Sequence, residues 1–258
     1  MRRREFIIGF LSASAFQASG ETLELGQSSV SSEIAPMGKL RCGSVDIQVL
    51  GGVAKPVGKF IATKLGVSFE PVMYPNAEAY VESFGKGEWD IAIGPSVLAA
   101  AEKTESGADV WLIELIYVAA PGQTFADANQ VDRPGVKVGV IQGDPSDRYL
   151  SLNLKSAEIV RIPLNAHISD DVMELLRTGK SDVFGTDSGV GSSVIKGLPG
   201  AKIVGAFDLI RVAVSLPKGR SSAAQAKLAE LINEAKRTGI VREAIAEARL
   251  HGVYVAPD

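Results

Sequence analysis

Strand-like and helix-like stretches alternate along almost the whole chain from Lys39 onward, and this alternation limits the possible folds more than any other feature. Short apolar runs rich in Val and Ile predict strands, while apolar residues three or four apart predict helices. Strands that alternate with helices are typical of an α/β fold with mainly parallel sheets. The predicted strands are 40–50, 67–74, 91–94, 110–119, 136–142, 158–163, 182–185 and 203–216. The predicted helices are 55–65, 77–84, 98–104, 145–154, 170–178, 190–196 and 221–250.

Two stretches that lead from a helix into a strand, 85–91 and 178–183, have similar residue patterns, which indicates that the alternation of elements occurs twice. Each places a glycine after a helix, a lysine close to the helix end and an aspartate directly before an apolar strand. Ordinary helix-to-strand punctuation would look the same, but the order of elements also matches on both sides. We therefore expect two similar lobes, joined by two crossings of the chain that form a two-strand hinge.

The first twenty residues have the pattern of an export signal. Arg3 and Arg4 begin a twin-arginine pattern, an apolar run covers 7–16, and small residues at 18–20 offer a cleavage site. The run is far shorter than the roughly 20 residues that span a bilayer, so we expect cleavage rather than anchoring. The other interpretation is a frayed basic N-terminus followed by a short hydrophobic helix. Export places the protein in the periplasm without ATP, which points to capture or sensing of solutes.

The expected divisions of the chain follow from the signal and the repeated pattern. They are an export signal at 1–20, a flexible Ser-rich segment at 21–38, lobe one at 39–117 together with 215–258, and lobe two at 118–214.

Composition excludes several classes of function. The chain has 258 residues and a net charge of −3, and such mild acidity argues against a nucleic-acid partner, which needs a basic face. Cys42 is the only cysteine, so no internal disulfide or cysteine-based metal site can form, and we interpret it as a small buried residue. The two histidines, His167 and His251, are far apart in sequence, which argues against a zinc site or a catalytic triad. The sequence predicts neither a metal nor a cofactor.

Loops that follow the predicted strands carry the candidate ligand-binding residues. In open α/β sheets ligands bind at the carboxyl ends of strands, and free backbone N–H groups at helix starts can bind an anion. Tyrosines at strand ends could pack on an apolar or cationic part of the ligand. The polar residues could instead be ordinary helix caps, and the lysine could be solvated. The candidates are Gly52, Lys55, Tyr74, Asn76, Gly94, Ser96, Tyr117, Asp144, Ser146 and Asp187.

Several stretches, in a fixed order and spacing, carry a resemblance to a known family. One is GEWDIA, a step into a ligand loop, and another is VDRPGVKVGV, which leads into the second lobe. The stretches are 87–92, 131–140, 143–150, 175–183, and 217–219 with 228–241. In these the chain resembles the periplasmic solute-binding proteins of ABC importers, in the family that binds polar amino acids (family 3). The likeness covers about 39–257.

The resemblance implies a type II periplasmic-binding-protein fold, in which each of two lobes is a mainly parallel sheet flanked by helices. It implies a monomer that captures a small polar solute by cleft closure, delivers it to the membrane permease of an ABC importer and is not an enzyme. Asp187 matches the aspartate that accepts the ligand's ammonium in this family. No basic residue at 94–102 matches the arginine that clamps the ligand's carboxylate, and Asp144 stands where the family often has Ser or Thr.

These departures favour a ligand with a cationic or amide group, or a neutral polar solute, and Lys55 could replace the lost positive charge. Three other functions stay open. A few relatives are dehydratases, for which Asp144 and Asp187 could supply an acid and a base. A sensory component would deliver its ligand to a membrane receptor. A degenerate binder with a closed pocket would also explain the missing arginine.

Overall fold

The computed structural model describes residues 30–99, 102–164 and 167–257. Its strands are β1 (Lys39–Val45), β2 (Ser68–Tyr74), β3 (Ile91–Pro95), β4 (Thr104–Ala119), β5 (Lys137–Ile141), β6 (Glu158–Ile162), β7 (Val183–Asp187), β8 (Lys202–Pro217) and β9 (Val253–Val255). Its helices are α1 (Gln48–Leu65), α2 (Ala77–Glu82), α3 (Pro145–Asn153), α4 (Ile168–Arg177), α5 (Ser188–Gly197), α6 (Ser222–Arg237) and α7 (Ile240–Glu247).

Within the described residues, nine strands form one sheet in the order β2-β1-β3-β8-β4-β7-β5-β6, and β9 pairs with β4. β1 is parallel to β2 and β3, while β5 is parallel to β6 and β7. The two 16-residue strands β4 and β8 pair antiparallel and connect these two groups. We name the β1–β3 side lobe one and the β5–β7 side lobe two. The predicted α/β architecture of two parallel groups joined by two strands is confirmed.

The first strand is shorter, and the first helix longer, than the sequence pattern predicts. β1 stops at Val45, and α1 begins at Gln48 rather than at residue 55. The buried positions of α1 follow a helical period that starts at Leu50, because this face packs against the sheet of lobe one. Gly51, which suggested a loop, lies inside the helix: a Cβ there would be 2.9 Å from the Val45 carbonyl oxygen, so glycine permits the close approach.

Each lobe has its own apolar core. The core of lobe one lies between its strands and helices α1, α6 and α7, and it includes Trp89, Trp111 and Cys42. In lobe two, one cluster around Phe184 lies on one face of the sheet and another around Tyr117 lies on the opposite face. The prediction that Cys42 is a small buried residue is confirmed, since it is 2% exposed.

The end of the predicted flexible segment packs on lobe one. Ile34 and Ala35 are buried, and Glu33 accepts hydrogen bonds from the backbone N–H and the hydroxyl of Ser221. The expectation of a flexible segment up to residue 38 is therefore corrected for residues 30–38. The predicted export signal at 1–20 lies outside the described residues. None of the described helices combines the length and the apolar character needed to cross a bilayer.

Candidate functional site

Two strand ends from different lobes point at each other across the β4–β8 pair. β3 ends at Pro95 beside Val212 of β8, and β7 ends at Asp187 beside Leu115 of β4. Val212 pairs with Trp111, so the two ends are roughly 13 Å apart along β4. The ends of β1 and β5 lie alongside, because they are parallel to β3 and β7. The structure thus forms a cleft between the carboxyl ends of two parallel groups of strands, where α/β proteins bind ligands.

The lobe-two side of this cleft carries two carboxylates, Asp144 and Asp187, which we call the acidic pair. Asp144 caps α3 by accepting a hydrogen bond from Asp147 N at 2.7 Å. Asp187 caps α5 by accepting from Gly189 N at 2.8 Å and from Val190 N at 3.2 Å. Asp187 is the last residue of β7, and Asp144 follows the end of the neighbouring strand β5. The structure therefore brings these two predicted site residues together.

Burial raises the pKa of both members of the acidic pair. Loss of water raises the pKa of Asp144 to about 7; the N–H of Asp147 opposes this shift, and the charges of Asp187 and Asp147 add to it. Burial likewise raises the pKa of Asp187, against the N–H groups of Val190 and Gly189. Near neutral pH the pair therefore holds part of a proton and carries less than two full negative charges.

Ser146 places a buried hydroxyl next to the acidic pair. It lies one turn before Leu150 on α3, and Leu150 packs on Gly185, where a Cβ would lie 2.6 Å from Leu150 Cδ1. Ser146 lies in the first turn of the helix that Asp144 caps, and its backbone N–H faces the Asp144 carboxylate, where it acts to lower the pKa of that acid. Ser146 is 0% exposed, and its Oγ has no hydrogen-bond partner.

Two lobe-one candidates lie within a helix and not in a loop, so this part of the prediction is corrected. A Cβ on Gly52 of α1 would lie 3.5 Å from Ala248 Cβ, which shows that this position faces the C-terminal end of the chain. Lys55, also in α1, places its Nζ 3.1 Å from Asp46 Oδ1. Asp46 follows β1 at the cleft, so the lysine is already paired with an acid there.

Three further lobe-one candidates have identifiable structural positions. Asn76 is exposed and caps α2 by accepting a hydrogen bond from Ala79 N at 2.8 Å. Gly94 is buried, and a Cβ there would lie 2.6 Å from the Tyr80 hydroxyl oxygen, so its lack of a side chain serves packing. Ser96 begins a short 3-10 helix directly after β3 and is half-buried at the cleft.

Both candidate tyrosines are packed within the lobes, which argues against the expectation that they pack on the ligand. Tyr117 is 3% exposed and stacks on Phe207 with ring centroids 4.5 Å apart, and burial raises its pKa. Tyr74 is 9% exposed and donates its hydroxyl hydrogen to Glu88 at 2.8 Å. Burial is the main cause that raises the pKa of Tyr74 to about 12.

Sequence reasoning missed a contact between the C-terminal arm, residues 250–255, and lobe two. The carbonyl oxygen of Gly252 accepts from Glu114 N at 2.8 Å and from Ser188 Oγ at 3.3 Å. Tyr254 donates its hydroxyl hydrogen to Glu114 Oε1 at 2.9 Å. Since Ser188 directly follows Asp187, the arm supports the start of α5. In the sequence, the one signal of this contact is Glu114, an acid inside the otherwise apolar predicted strand 110–119.

No protein-family model and no curated protein matches the sequence. Solved structures are nevertheless similar in fold. An ancestral cationic amino acid solute binding protein is 19% identical with a TM-score of 0.62, covering 84% of this chain and 98% of its own. The substrate-binding protein AbpA of an amino acid ABC transporter from Streptococcus pneumoniae, bound to L-arginine, is 18% identical with a TM-score of 0.60, covering 83% and 96%.

An enzyme shares the same scaffold. An ancestral cyclohexadienyl dehydratase is 19% identical with a TM-score of 0.51, covering 85% of this chain and 96% of its own. Structural similarity at sequence identities this low shows a shared fold, and the function has to be argued from the residues of the site. The chain therefore has the two-lobed type II periplasmic-binding-protein fold, which these amino acid-binding proteins of ABC transporters share.

Proposed function

We propose that this protein captures a small polar solute in the cleft and delivers it to the membrane permease of an ABC importer. One observation carries the proposal: the acidic pair at the ends of β5 and β7 faces lobe one across a hinge of two strands. Rotation about β4 and β8 would close lobe one over the pair, as in other hinged binding proteins. The solute is amino-acid-like, or carries a cationic or amide group.

The setting of this function belongs to the same proposal. The protein would be exported by the twin-arginine signal, lose residues 1–20 and work in the periplasm as a monomer without a nucleic-acid partner. Lobe one would comprise 39–117 with 215–258, and lobe two 118–214. Delivery to a sensory receptor would use the same cleft, and a permease encoded beside the gene would favour transport.

We propose further that the protein is not an enzyme, although one observation favours a dehydratase as the second candidate. A carboxyl group that is partly protonated near neutral pH, beside another carboxylate, could act as an acid and base pair. Asp144 and Asp187 meet this description. Incubation with amino-acid-like and cyclohexadienyl compounds, followed by mass spectrometry, would show loss of water if this candidate is correct. Asp144→Asn would then abolish the product.

The capture function is tested by combining thermal unfolding with small-angle X-ray scattering. A solute that binds only the folded protein raises the melting temperature, with a stabilisation of about 2.7 kcal/mol at a hundredfold excess over its Kd. We expect the same solute to lower the radius of gyration, because the lobes close. A screen of amino acids, amines, amides and small organic acids that gives neither effect would contradict capture.

A further inference from the structure

The helix starts on the lobe-two side of the cleft are occupied by the protein's own carboxylates. A helix N-terminus binds an anion through its free N–H groups. Here the N–H of Asp147 donates to Asp144, and the N–H groups of Gly189 and Val190 donate to Asp187. An anionic part of a solute would therefore find these donors engaged and would approach two acids.

The acidic pair has no cationic partner among the described side chains. The groups that shift the pKa of Asp144 and Asp187 are burial, backbone N–H groups and neighbouring acids, without a lysine or arginine. Asp147, the other acid beside Asp144, is paired with Arg161 at 2.9 Å.

Nearby cations are directed to other partners. Arg148 Nε donates to the carbonyl oxygen of Gly143 at 3.1 Å. Across the cleft, Lys55 is paired with Asp46 at 3.1 Å. Two carboxylates close to each other and without a counter-charge are unfavourable, and a bound cation would relieve this repulsion.

The hydroxyl of Ser146 is a second and independent indication of a ligand. A fully buried hydroxyl without a partner is uncommon and lowers stability. Ser146 is the second residue after Asp144 and its backbone N–H faces that carboxylate, so we take its hydroxyl oxygen as the acceptor for an N–H donor bound at the acidic pair. Ammonium and guanidinium groups have several N–H donors and no acceptor, which matches two carboxylates and one hydroxyl oxygen.

Resting on the proposed capture function, we propose that the solute is an amine or guanidine compound without a carboxylate, whose cationic group binds between Asp144 and Asp187 and donates to Ser146 Oγ. An α-amino acid carries its carboxylate on the carbon next to the ammonium. That carboxylate would lie close to both acids, where like charges repel. Because burial raises the pKa of Asp144 to about 7, binding of the cation at pH 7 should release to solvent the part of a proton that Asp144 retains.

The test is isothermal titration calorimetry of the protein at pH 7 with cadaverine and with lysine, which is cadaverine plus one carboxylate. We expect cadaverine to bind about tenfold or more tightly than lysine, because the added charge is repelled. In two buffers with different ionisation enthalpies, the heats should differ in the direction of proton release. Lysine binding as tightly as cadaverine would overturn the assignment.

Four variants locate the site. Asp144→Asn and Asp187→Asn keep a capping oxygen but remove a charge, and each should weaken cadaverine binding about tenfold or more. Ser146→Ala should weaken it several-fold. Glu158→Gln, at the opposite end of β6, removes the same charge from lobe two and should leave the affinity unchanged. Equal losses in all four variants would contradict the assigned position.

The outcomes separate the two proposals. Amino acids that bind and compact the protein while cadaverine does not bind would overturn the amine assignment and leave capture intact. Failure of amines, guanidines and amino acids alike, without compaction in scattering, would contradict both.

Discussion

Two buried hydroxyl groups on opposite sides of β7 allow stability and binding to be separated at the scale of single residues. Thr186 Oγ1 and Ser146 Oγ are both without a hydrogen-bond partner. Thr186 alternates with Asp187 along β7 and therefore points away from the acidic pair. Thr186→Val should raise the free energy of unfolding by about 1 kcal/mol, because it removes an unsatisfied group at nearly constant volume.

Ser146→Ala should have a similar stabilising effect without solute, but it alone should reduce the affinity for cadaverine. Urea unfolding with and without cadaverine measures both quantities. Destabilisation by Thr186→Val would show that its hydroxyl has a partner in solution, and unchanged affinity in Ser146→Ala would remove the serine from the site.

The raised pKa of Asp144 predicts the direction in which stability depends on pH. Because the folded protein holds this proton to about pH 7, and the unfolded chain releases it near its ordinary value, the stabilisation is complete at low pH. It is lost as pH rises through 7. We expect the free energy of unfolding to fall by about 1–3 kcal/mol between pH 5 and pH 8.

The raised pKa of Asp187 acts in the same direction. The lowered pKa values of Glu33, Asp132 and Asp147 affect stability at more acidic pH, so these three acids do not cause the change between pH 5 and pH 8. Denaturant unfolding at pH 5 and pH 8 measures the change. In Asp144→Asn the free energy of unfolding should fall much less between pH 5 and pH 8. An unchanged fall in this variant would show that another group causes the pH dependence.

At the scale of elements, the C-terminal arm braces the start of α5 at a glycine. Gly252 has a φ of 65°, and a Cβ there would lie 2.7 Å from Ser188 Cβ and 2.8 Å from Glu114 Oε2. Gly252→Ala should lower the free energy of unfolding by about 2–3 kcal/mol, through backbone strain and overpacking. It should also weaken solute binding, because displacing Ser188 moves Asp187.

Gly66→Ala is the matched control for this prediction. Gly66 ends α1 with a φ of 71°, and a Cβ there would meet no atom within 4 Å. It should lower stability by only about 1 kcal/mol, through left-handed strain, and leave affinity unchanged. Equal effects of the two substitutions on urea unfolding and on cadaverine affinity would show that the arm does not support the site.

At the scale of the whole molecule, the shared sheet predicts that the two lobes unfold together. Both tryptophans, Trp89 and Trp111, lie in the core of lobe one, so fluorescence reports on that lobe. Leu176 is 2% exposed in the core of lobe two. Leu176→Ala should lower the free energy of unfolding measured by tryptophan fluorescence by about 2–4 kcal/mol. The reason is that β4 and β8 run through both lobes.

Far-ultraviolet circular dichroism provides the second probe for this prediction, because it follows both lobes. Coincident fluorescence and dichroism curves would support a single transition. A fluorescence transition that Leu176→Ala leaves in place, with a separate early change in dichroism, would show that the lobes unfold independently.

The sequence by itself determined the order and type of most elements and the α/β architecture. Predicted strands 67–74 and 158–163 match β2 and β6 closely, because alternation and turn residues act over a few neighbours. Asp144 and Asp187 could be recognised as residues that open helices for the same reason. Their convergence in one cleft was expected from the rule that ligands bind at strand ends, which holds for the whole class of fold.

Only the tertiary structure decided what surrounds these residues. Packing against the sheet extended α1 back to Gln48 and enclosed Lys55 in a helix, while contact with Phe207 withdrew Tyr117 into a core. The bond between Ser188 and Gly252 joins residues 64 positions apart, which no local pattern specifies. Burial likewise raised the pKa of Asp144. These properties depend on long-range contacts and on exclusion of water, so they exist only once the chain has folded.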